Sequence, residues 1–410
     1  MRAGAPLGEA RDGAVSDLAE RDRRLAYELS AGVLRRQSEL DRALDLGRAD
    51  PRLHDVLRLG AYQLRCLTRV PRHAAVSTSV ELARETAGEG PARFVNQALR
   101  RLTRDAGSGM RDASSTHPAW LIARWRARFG DAETATLLAW NDAKPTLTLQ
   151  PARWSQVQLA QGLRDAGVGV EVAPFGAGLR VTTTHLASRI PHPAQLPGFT
   201  EGGFIVQDPA HALVARFAAI PAGAVVYDAC AAPGGKAVAL EGMGAKVVAG
   251  DARPHRLPRL ADTARRAGVA IRCLAADLEA APFGVGRLDA VLVDAPCSAT
   301  GTMARHPDAR WRLTPELFPR AAGRQARLLA AAAPLVRKGG VLIYATCSLE
   351  PEENNAVVED FLSQHPDFAR APDSRAVPAQ LLTAGGGDFQ SLPQRHGIDG
   401  AYAARLVRSA

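Results

Sequence analysis

Five short apolar runs, separated by stretches of helical spacing, occupy the C-terminal half of the chain and most restrict its fold. They lie between residues 224 and 347 and read AVVYDA, AKVVAGD, AIRCLAA, LDAVLVDAP and GGVLIYATC. Strands that are apolar throughout are buried on both faces, which predicts a parallel sheet with helices on each side. We expect AYAARLVR, near the C terminus, to supply a last strand.

The sequence before these runs is organised differently and predicts further domains. Up to about residue 105 apolar residues recur at helical spacing, and Asp50 and Pro51 suit the first positions of one helix. DAGSGMRDASST then has the composition of a linker. Two strand-like runs, PTLTLQPA and GLRVTTT, flank a helical segment from Gln156 to Ala166. The predicted parts are a helical domain (1–108), a small α/β subdomain (118–205) and a catalytic domain (206–410).

Composition narrows the class of protein. No apolar run approaches the length needed to cross a bilayer and the first residues carry no secretory signal, so a cytoplasmic protein is expected. The net charge of +9 favours a polyanionic partner. Almost all of the positive charges are arginines, however, and the base composition of the genome is an alternative explanation for a high arginine content. Five scattered cysteines without a C-x-x-C pair argue against a disulfide framework or a zinc site, and no metal is predicted.

The residues that follow the first three runs outline a candidate nucleoside pocket, because ligands of such sheets bind outside the carboxyl ends of the strands. A turn of small residues follows the first run, where backbone can approach a ligand closely; a plain strand-to-helix turn is the alternative. Asp251 and Asp277 end or follow the second and third runs. Either acid alone is commonly a helix cap. The turn consists of Cys230, Ala231, Ala232, Pro233, Gly234, Gly235 and Lys236.

Cysteines follow the fourth and fifth runs. The fourth ends in Asp294 and continues to Cys297, and the fifth ends at Cys347. If the two strands are neighbours, their tips lie about 5 Å apart, so both thiols face one crevice. Two free cysteines beside an aspartate at the mouth of such a fold favour a chemical role over packing.

Three segments, DACAAPGGK, DAPCSATG and ATCSLEPEEN, resemble the RNA (cytosine-C5) methyltransferases of the Sun family. The opening helical region resembles the NusB-like RNA-binding domain, and FVNQALRRL, HPAWLIARW and GGFIVQDPA are similar to the Sun/Fmu-type enzymes that modify 16S rRNA. The resemblance implies an all-α NusB-like N-terminal bundle, a small α/β subdomain and a C-terminal α/β Rossmann-like methyltransferase domain. It also implies S-adenosylmethionine as cofactor and 16S rRNA as substrate, with a monomer as the default.

The resemblance further assigns roles by position. The turn from Cys230 to Lys236 would hold the methionine end of the cofactor, Asp251 its ribose and Asp277 its adenine. Asp294 would lie beside the cofactor and contact the target cytosine, where it would hold or share a proton that stabilises charge at N3. Cys347 would attack C6, and Cys297 would assist product release. The residues expected at the RNA are Arg305, Arg310, Arg100 and Arg101, with Trp311 either stacking on a base or packing in the core. Ala237 and Ala304 depart from the family, which frequently has threonine and arginine there.

Several alternatives stay open at this point. The cysteine roles are exchanged if the Pro296-Cys297 pair acts like the nucleophile of DNA cytosine-C5 methyltransferases. A relative that modifies tRNA shares the catalytic segments. A non-catalytic RNA-binding assembly factor is a third possibility, which the presence of every expected catalytic residue disfavours. A small-molecule methyltransferase has no need of the helical domain.

Overall fold

A computed structural model of the chain describes residues 7–15, 17–104, 116–182, 192–373, 375–385 and 387–409. Its contacts divide the chain into two compact units. The first comprises residues 1–144 and 303–313, and the second comprises residues 145–302 and 314–410. The three domain boundaries predicted above stay a prediction, and the predicted linker lies almost wholly outside the described residues.

The first unit is helical, as predicted. Its core packs apolar side chains such as Leu40, Leu57, Val95 and Leu99, all essentially buried. Asp50 caps a 3-10 turn, Pro51–Leu53, that leads into the fourth helix. The helices are α1 (Leu7–Ala14), α2 (Glu20–Arg35), α3 (Gln37–Leu44), α4 (His54–Cys66), α5 (Arg72–Ala87), α6 (Glu89–Arg104) and α7 (Ala119–Asp142).

A segment from the C-terminal half also belongs to this unit. Residues 303–313 contain the short helix α12 (Ala309–Arg312), whose contacts are with the helical unit. The indole N–H of Trp311 donates to the carbonyl of Leu34 at 2.7 Å, and Arg35 donates to the carbonyl of Ala304 at 3.0 Å. Sequence reasoning did not foresee that these residues leave the sheet domain.

The second unit contains a small antiparallel sheet of order β2-β3-β1-β4. Leu149, Leu159, Leu163 and Phe204 form its core. Two of its strands and its helix were predicted, whereas β2 and β4 were not. Its elements are β1 (Thr148–Pro151), α8 (Gln156–Asp165), β2 (Gly169–Val172), β3 (Leu179–Thr182) and β4 (Phe204–Val206).

The large sheet contains all five predicted parallel strands and the predicted C-terminal strand. The order is β10-β12-β9-β8-β5-β6-β7, with β11 paired to β12. β5 to β9 run parallel, and β12 returns antiparallel to β9. The strands are β5 (Val225–Asp228), β6 (Lys246–Asp251), β7 (Arg272–Ala275), β8 (Leu288–Asp294), β9 (Val336–Thr346), β10 (Phe368–Arg370), β11 (Phe389–Ser391) and β12 (Ala401–Arg408).

Helices cover both faces of the large sheet, which confirms the predicted Rossmann-like architecture. Alternation along a strand places Val226 in one core and Tyr227 in the other. Leu213 and Leu260 pack into the first core, and Leu329 and Val358 into the second. The helices are α9 (Pro209–Phe217), α10 (Gly235–Gly242), α11 (Leu257–Ala267), α13 (Leu317–Ala332), α14 (Asn355–Gln364) and α15 (Pro393–His396).

Candidate active site

The candidate catalytic residues lie at the carboxyl edge of the large sheet. β8 and β9 are neighbours in parallel register, with Asp294 opposite Ala345. Cys297 and Cys347 therefore follow this pair by three and two residues, and the loops that carry them begin side by side. The amide of Gly301 donates to the carbonyl of Cys347 at 3.0 Å, which joins the two loops directly.

The two cysteine sulfurs meet at this edge. Cys297 Sγ lies 3.0 Å from Cys347 Sγ, and both residues are half-buried. The hydrogen bond with Cys347, followed by burial, raises the pKa of Cys297 well above its ordinary range. Either sulfur can donate in this S–H···S contact, and the raised pKa of Cys297 favours its protonated form. The two thiols thus come together as the sequence led us to expect, while a crevice that both of them face stays a prediction.

Asp294 forms an ion pair with Lys236. The Lys236 ammonium lies 2.6 Å from Asp294 Oδ2 and 3.1 Å from the ring Nδ1 of His211. Burial lowers the pKa of Lys236, but the charge and hydrogen bond of Asp294 outweigh it, so the net pKa is raised and the lysine stays charged. The side chain of Asp294 is 31% exposed, which leaves part of it accessible to a ligand. Asp294 thus accepts a hydrogen bond from Lys236, and its expected role at N3 of cytosine stays a prediction.

The turn from Cys230 to Lys236 folds as a tight bend into α10. Gly234 has φ of 104°, a left-handed conformation that strains residues with a side chain. A Cβ on Gly235 would lie 2.8 Å from the side-chain nitrogen of Gln207. Burial raises the pKa of the Cys230 thiol to about 12, so it is not a nucleophile near neutral pH. This turn therefore offers backbone rather than reactive groups.

Asp228, at the end of β5, was not singled out from the sequence. It is 1% exposed, and neither carboxylate oxygen completes a hydrogen bond with a described residue. Burial, followed by the charge of Asp294, raises its pKa to about 8, against the smaller opposite effects of Lys236 and the Cys230 amide. Buried polar atoms are nearly always paired, so these oxygens indicate a site that a cationic ligand group completes. Its position at a strand end is the signal that would have found it.

The other two acids of the predicted nucleoside pocket differ in exposure. Asp251 is buried at the end of β6 and accepts from the amide of Arg253 at 2.8 Å. Asp277 is exposed and accepts from the amide of Glu279 at 3.0 Å, as the cap of a 3-10 turn. Each accepts a hydrogen bond through one oxygen within a local turn. Their assignment to ribose and adenine stays a prediction.

The arginines predicted to contact RNA differ in how exposed they are. Arg310 is fully buried: it donates to Asp142 Oδ1 at 2.7 Å and to the carbonyls of Asn141 and Thr116. These hydrogen bonds occupy its guanidinium within the helical unit, which argues against the RNA contact that was predicted for it. Arg305 is half-buried, and Arg100 and Arg101 are exposed on α6. The indole N–H of Trp311 donates to the carbonyl of Leu34, which favours packing in the core over stacking on a base.

The described ranges contain neither a side-chain cluster suited to a metal ion nor a helix suited to a membrane. No group of three or more histidine, cysteine, aspartate or glutamate residues within them is arranged to hold a metal ion. None of the helices that the structure describes combines the length and apolar character needed to cross a membrane.

Comparison with known proteins gives matches along most of the chain. Residues 219–407 match the family described as 16S rRNA methyltransferase RsmB/F, residues 2–104 the NusB family, and residues 117–185 the RsmF/B-like ferredoxin-like domain. The probable ribosomal RNA small subunit methyltransferase B of Synechocystis is 36% identical, over 95% of this chain and 92% of the relative. The ribosomal RNA small subunit methyltransferase B of Salmonella paratyphi B is 33% identical, with the same coverage. The crystal structure of PH0851 shares the fold, with a TM-score of 0.80 at 24% identity over 96% of this chain and 92% of that one.

Proposed function

This chain belongs to the RsmB/F family of 16S rRNA methyltransferases, which use S-adenosylmethionine, and from that premise we propose that it methylates C5 of a cytosine in 16S rRNA through a covalent adduct with Cys347. Cys297 then assists release of the product. The observation that carries the proposal is the 3.0 Å approach of two cysteine sulfurs beside an aspartate–lysine ion pair. The cytoplasmic location and the monomeric state stay predictions.

The residues at the carboxyl edge fit S-adenosylmethionine. The unpartnered oxygens of Asp228 suit the cationic methionine end, and the backbone of the Cys230–Lys236 turn would lie against it. Asp251 would hold the ribose hydroxyls and Asp277 the adenine amino group. When bound, this cofactor supplies a methyl group on a sulfonium, which is electrophilic.

Cytosine C5 is a weak nucleophile, so the chain must first activate the ring. Cys347 attacks as the thiolate, its proton having passed to solvent, and its sulfur bonds to C6. The displaced electrons move toward N3, where Asp294 and its partner Lys236 stabilise them by proton sharing. C5 then has carbanion character and accepts the methyl group. Loss of the C5 proton and cleavage of the C6–sulfur bond restore the aromatic ring and free Cys347.

Cys297 has the protonation state that release requires. Its raised pKa keeps a proton on the sulfur next to Cys347. Donation of that proton to the departing Cys347 thiolate lowers the cost of expelling it, and Cys297 then recovers a proton from the C5 side of the reaction or from solvent. Loss of Cys297 should therefore spare attack and methyl transfer but block release.

The trapping experiment follows from this division of roles. We expect purified Cys297→Ala protein, incubated with 16S rRNA and S-adenosylmethionine, to give a covalent protein–RNA band on a denaturing gel. The band should disappear in the Cys297→Ala/Cys347→Ala double variant, which lacks the attacking sulfur. Cys273→Ala removes a cysteine on β7, away from the pair, and should turn over normally without a band.

Other outcomes of this experiment discriminate the alternatives. A band with Cys347→Ala rather than Cys297→Ala would exchange the roles of the two cysteines. Wild-type methylation with no band in either variant would reject the cysteine scheme. Parallel incubation with tRNA tests the substrate, for which the NusB match over residues 2–104 and the names of the relatives favour rRNA.

A further inference from the structure

Glu353 is a fully buried carboxylate that the proposed mechanism leaves without a task. It ends the 3-10 turn Pro351–Glu353 ahead of α14, and its exposed fraction is 0%. Within the described residues it forms no ion pair with arginine or lysine; its side chain accepts hydrogen bonds from neutral donors only. A buried carboxylate is costly unless hydrogen bonds satisfy it. The origin of those donors therefore indicates what Glu353 does.

The donors come from both cysteine loops. The backbone amide of Ser298, which follows Cys297, donates to Glu353 Oε2 at 2.9 Å. The hydroxyl of Ser348, which follows Cys347, donates to Glu353 Oε1 at 2.7 Å. One side chain is thus bonded to the residue after each of the two reactive cysteines.

A third donor comes from α13. Gln325, itself fully buried, donates through Nε2 to Glu353 Oε2 at 2.9 Å and to the carbonyl of Pro296 at 3.0 Å. Pro296 precedes Cys297, so the residues on both sides of Cys297 are tied to Glu353, one directly and one through Gln325. The Cys297 loop therefore has little freedom as long as Glu353 accepts these bonds.

We propose that Glu353 is a positioning residue that holds the Cys297 and Cys347 loops together, so that their sulfurs meet. An ionised carboxylate accepts at two oxygens and donates nothing, which matches three donors arriving from two loops and a helix. A glutamine in its place would offer one acceptor oxygen and turn an NH₂ group toward another donor. The proposal rests on the proposed function only in giving the sulfur pair a catalytic purpose.

The charge of Glu353 supports the same arrangement. The hydrogen bond with Cys347 and burial are the largest causes of the raised pKa of Cys297, and Glu353 adds to them as a nearby negative charge. Glu353 thus favours the protonated form of the cysteine whose loop it holds.

Sulfur positioning can be measured without RNA. Diamide takes one hydrogen from each of two thiols, accepting two electrons and two protons in total, and leaves an S–S bond. We expect wild-type protein to form the Cys297–Cys347 disulfide, identified by differential alkylation and peptide mass spectrometry. Loss of the Glu353 charge alone would favour the Cys297 thiolate and speed oxidation. Closure of the S–S bond requires the two sulfurs to meet, so if Glu353 positions them the rate in Glu353→Gln should instead fall by about tenfold or more, the scale set by loss of hydrogen bonds to a charged group. In methylation assays kcat should fall by a similar factor, while KM for RNA changes by no more than about twofold because the variant leaves the RNA-facing residues intact.

Two further variants make the result specific. Glu352→Gln applies the same change to the neighbouring, partly exposed residue and should oxidise at the wild-type rate. Ser348→Ala deletes one of the three donors to Glu353 and should give an intermediate rate. The same change also removes the contacts of this hydroxyl with Ser298 and Thr300 and with the amide of Glu350. If one carboxylate joins the loops, adding Ser348→Ala to Glu353→Gln should slow oxidation less than the product of the two single effects.

The possible outcomes separate this inference from the proposed function. A wild-type oxidation rate in folded Glu353→Gln overturns the positioning role. If that variant does not fold, a wild-type rate in Ser348→Ala overturns it instead. Slowed oxidation in a protein whose wild type methylates no RNA supports the positioning role and rejects the proposed function. Normal methylation by the wild type with unchanged oxidation in the variants supports the proposed function and rejects the positioning role.

Discussion

Asp228 and Asp294 end neighbouring strands of one sheet, yet the structure gives them opposite surroundings. Asp294 is paired with the Lys236 ammonium at 2.6 Å and is partly exposed. Asp228 is fully buried and has no completed hydrogen bond among the described residues. A carboxyl of the second kind prefers its neutral form, and this preference links the stability of the fold to pH.

The pH dependence of the free energy of unfolding should report on Asp228. The unfolded chain releases this proton near pH 3.8, whereas the native protein holds it to about pH 8. Between these values unfolding releases a proton, so the contribution of Asp228 to stability falls as the pH rises through this window, by at most about 1.4 kcal/mol per pH unit. Asp228→Asn cannot lose the proton. Its midpoint of thermal unfolding, relative to wild type, should therefore rise steadily from pH 5 to pH 8.

Asp165→Asn is the matched control for this measurement. Asp165 is exposed at the end of α8, where burial does not act on the carboxyl. Its midpoint should keep a nearly constant difference from wild type over the same pH range. A constant difference in Asp228→Asn as well would show that Asp228 is ionised in the native protein throughout, against the burial argument.

At the scale of elements, the sequence predicted those with a strong local pattern. The five parallel strands are continuous apolar runs, and their ends carry Asp294, Cys297 and Cys347, so their common edge followed from topology rules alone. Of the missed strands, β4, β10 and β11 have three residues each and β2 has four, too few to show a period. A local sequence pattern does not predict which side chains will contact each other across distant segments. The three hydrogen bonds to Glu353 are an example, because two of their donors lie 28 and 55 residues away in the chain.

Arg310 is a second residue whose contacts the local sequence did not predict. The resemblance to the family assigned it to the RNA backbone. Its partner Asp142 lies 168 residues earlier in the chain, at the end of α7, and nothing in the local sequence indicates the pairing. The structure makes Arg310 a structural residue of the helical unit.

Stability rather than RNA affinity should respond to Arg310. Arg310→Ala removes three hydrogen bonds and leaves the Asp142 carboxylate without its cation, so we expect a loss of about 3 kcal/mol in the free energy of unfolding. Arg42→Ala, which removes an exposed arginine of α3 in the same unit, should cost less than about 0.5 kcal/mol. Urea denaturation of both variants measures the difference. Equal stability of Arg310→Ala and wild type, with weaker RNA binding, would restore the original assignment.

For the whole molecule, the net charge of +9 becomes informative once the family is known. Phosphate contacts release counterions, so the affinity for RNA should fall steeply as salt is added. Total charge does not say which arginines touch phosphate. The exposed pair Arg100 and Arg101 on α6 lies within residues 2–104, which match the NusB family. With Arg310 consumed internally, this pair carries more of the predicted RNA contact.

The salt dependence of binding distinguishes a phosphate contact from a general loss of charge. If both arginines contact phosphates, Arg100→Ala/Arg101→Ala should reduce the slope of log affinity against log salt by about 1.4 to 1.8, at roughly 0.7 to 0.9 per contact. Arg164→Ala/Lys246→Ala removes two exposed charges from the second unit and should leave the slope almost unchanged. Fluorescence anisotropy with a labelled 16S rRNA fragment, titrated with potassium chloride, measures both slopes. Equal slopes for the two double variants would mean that Arg100 and Arg101 act only through net charge, and the RNA contact would then have to be sought on other surfaces.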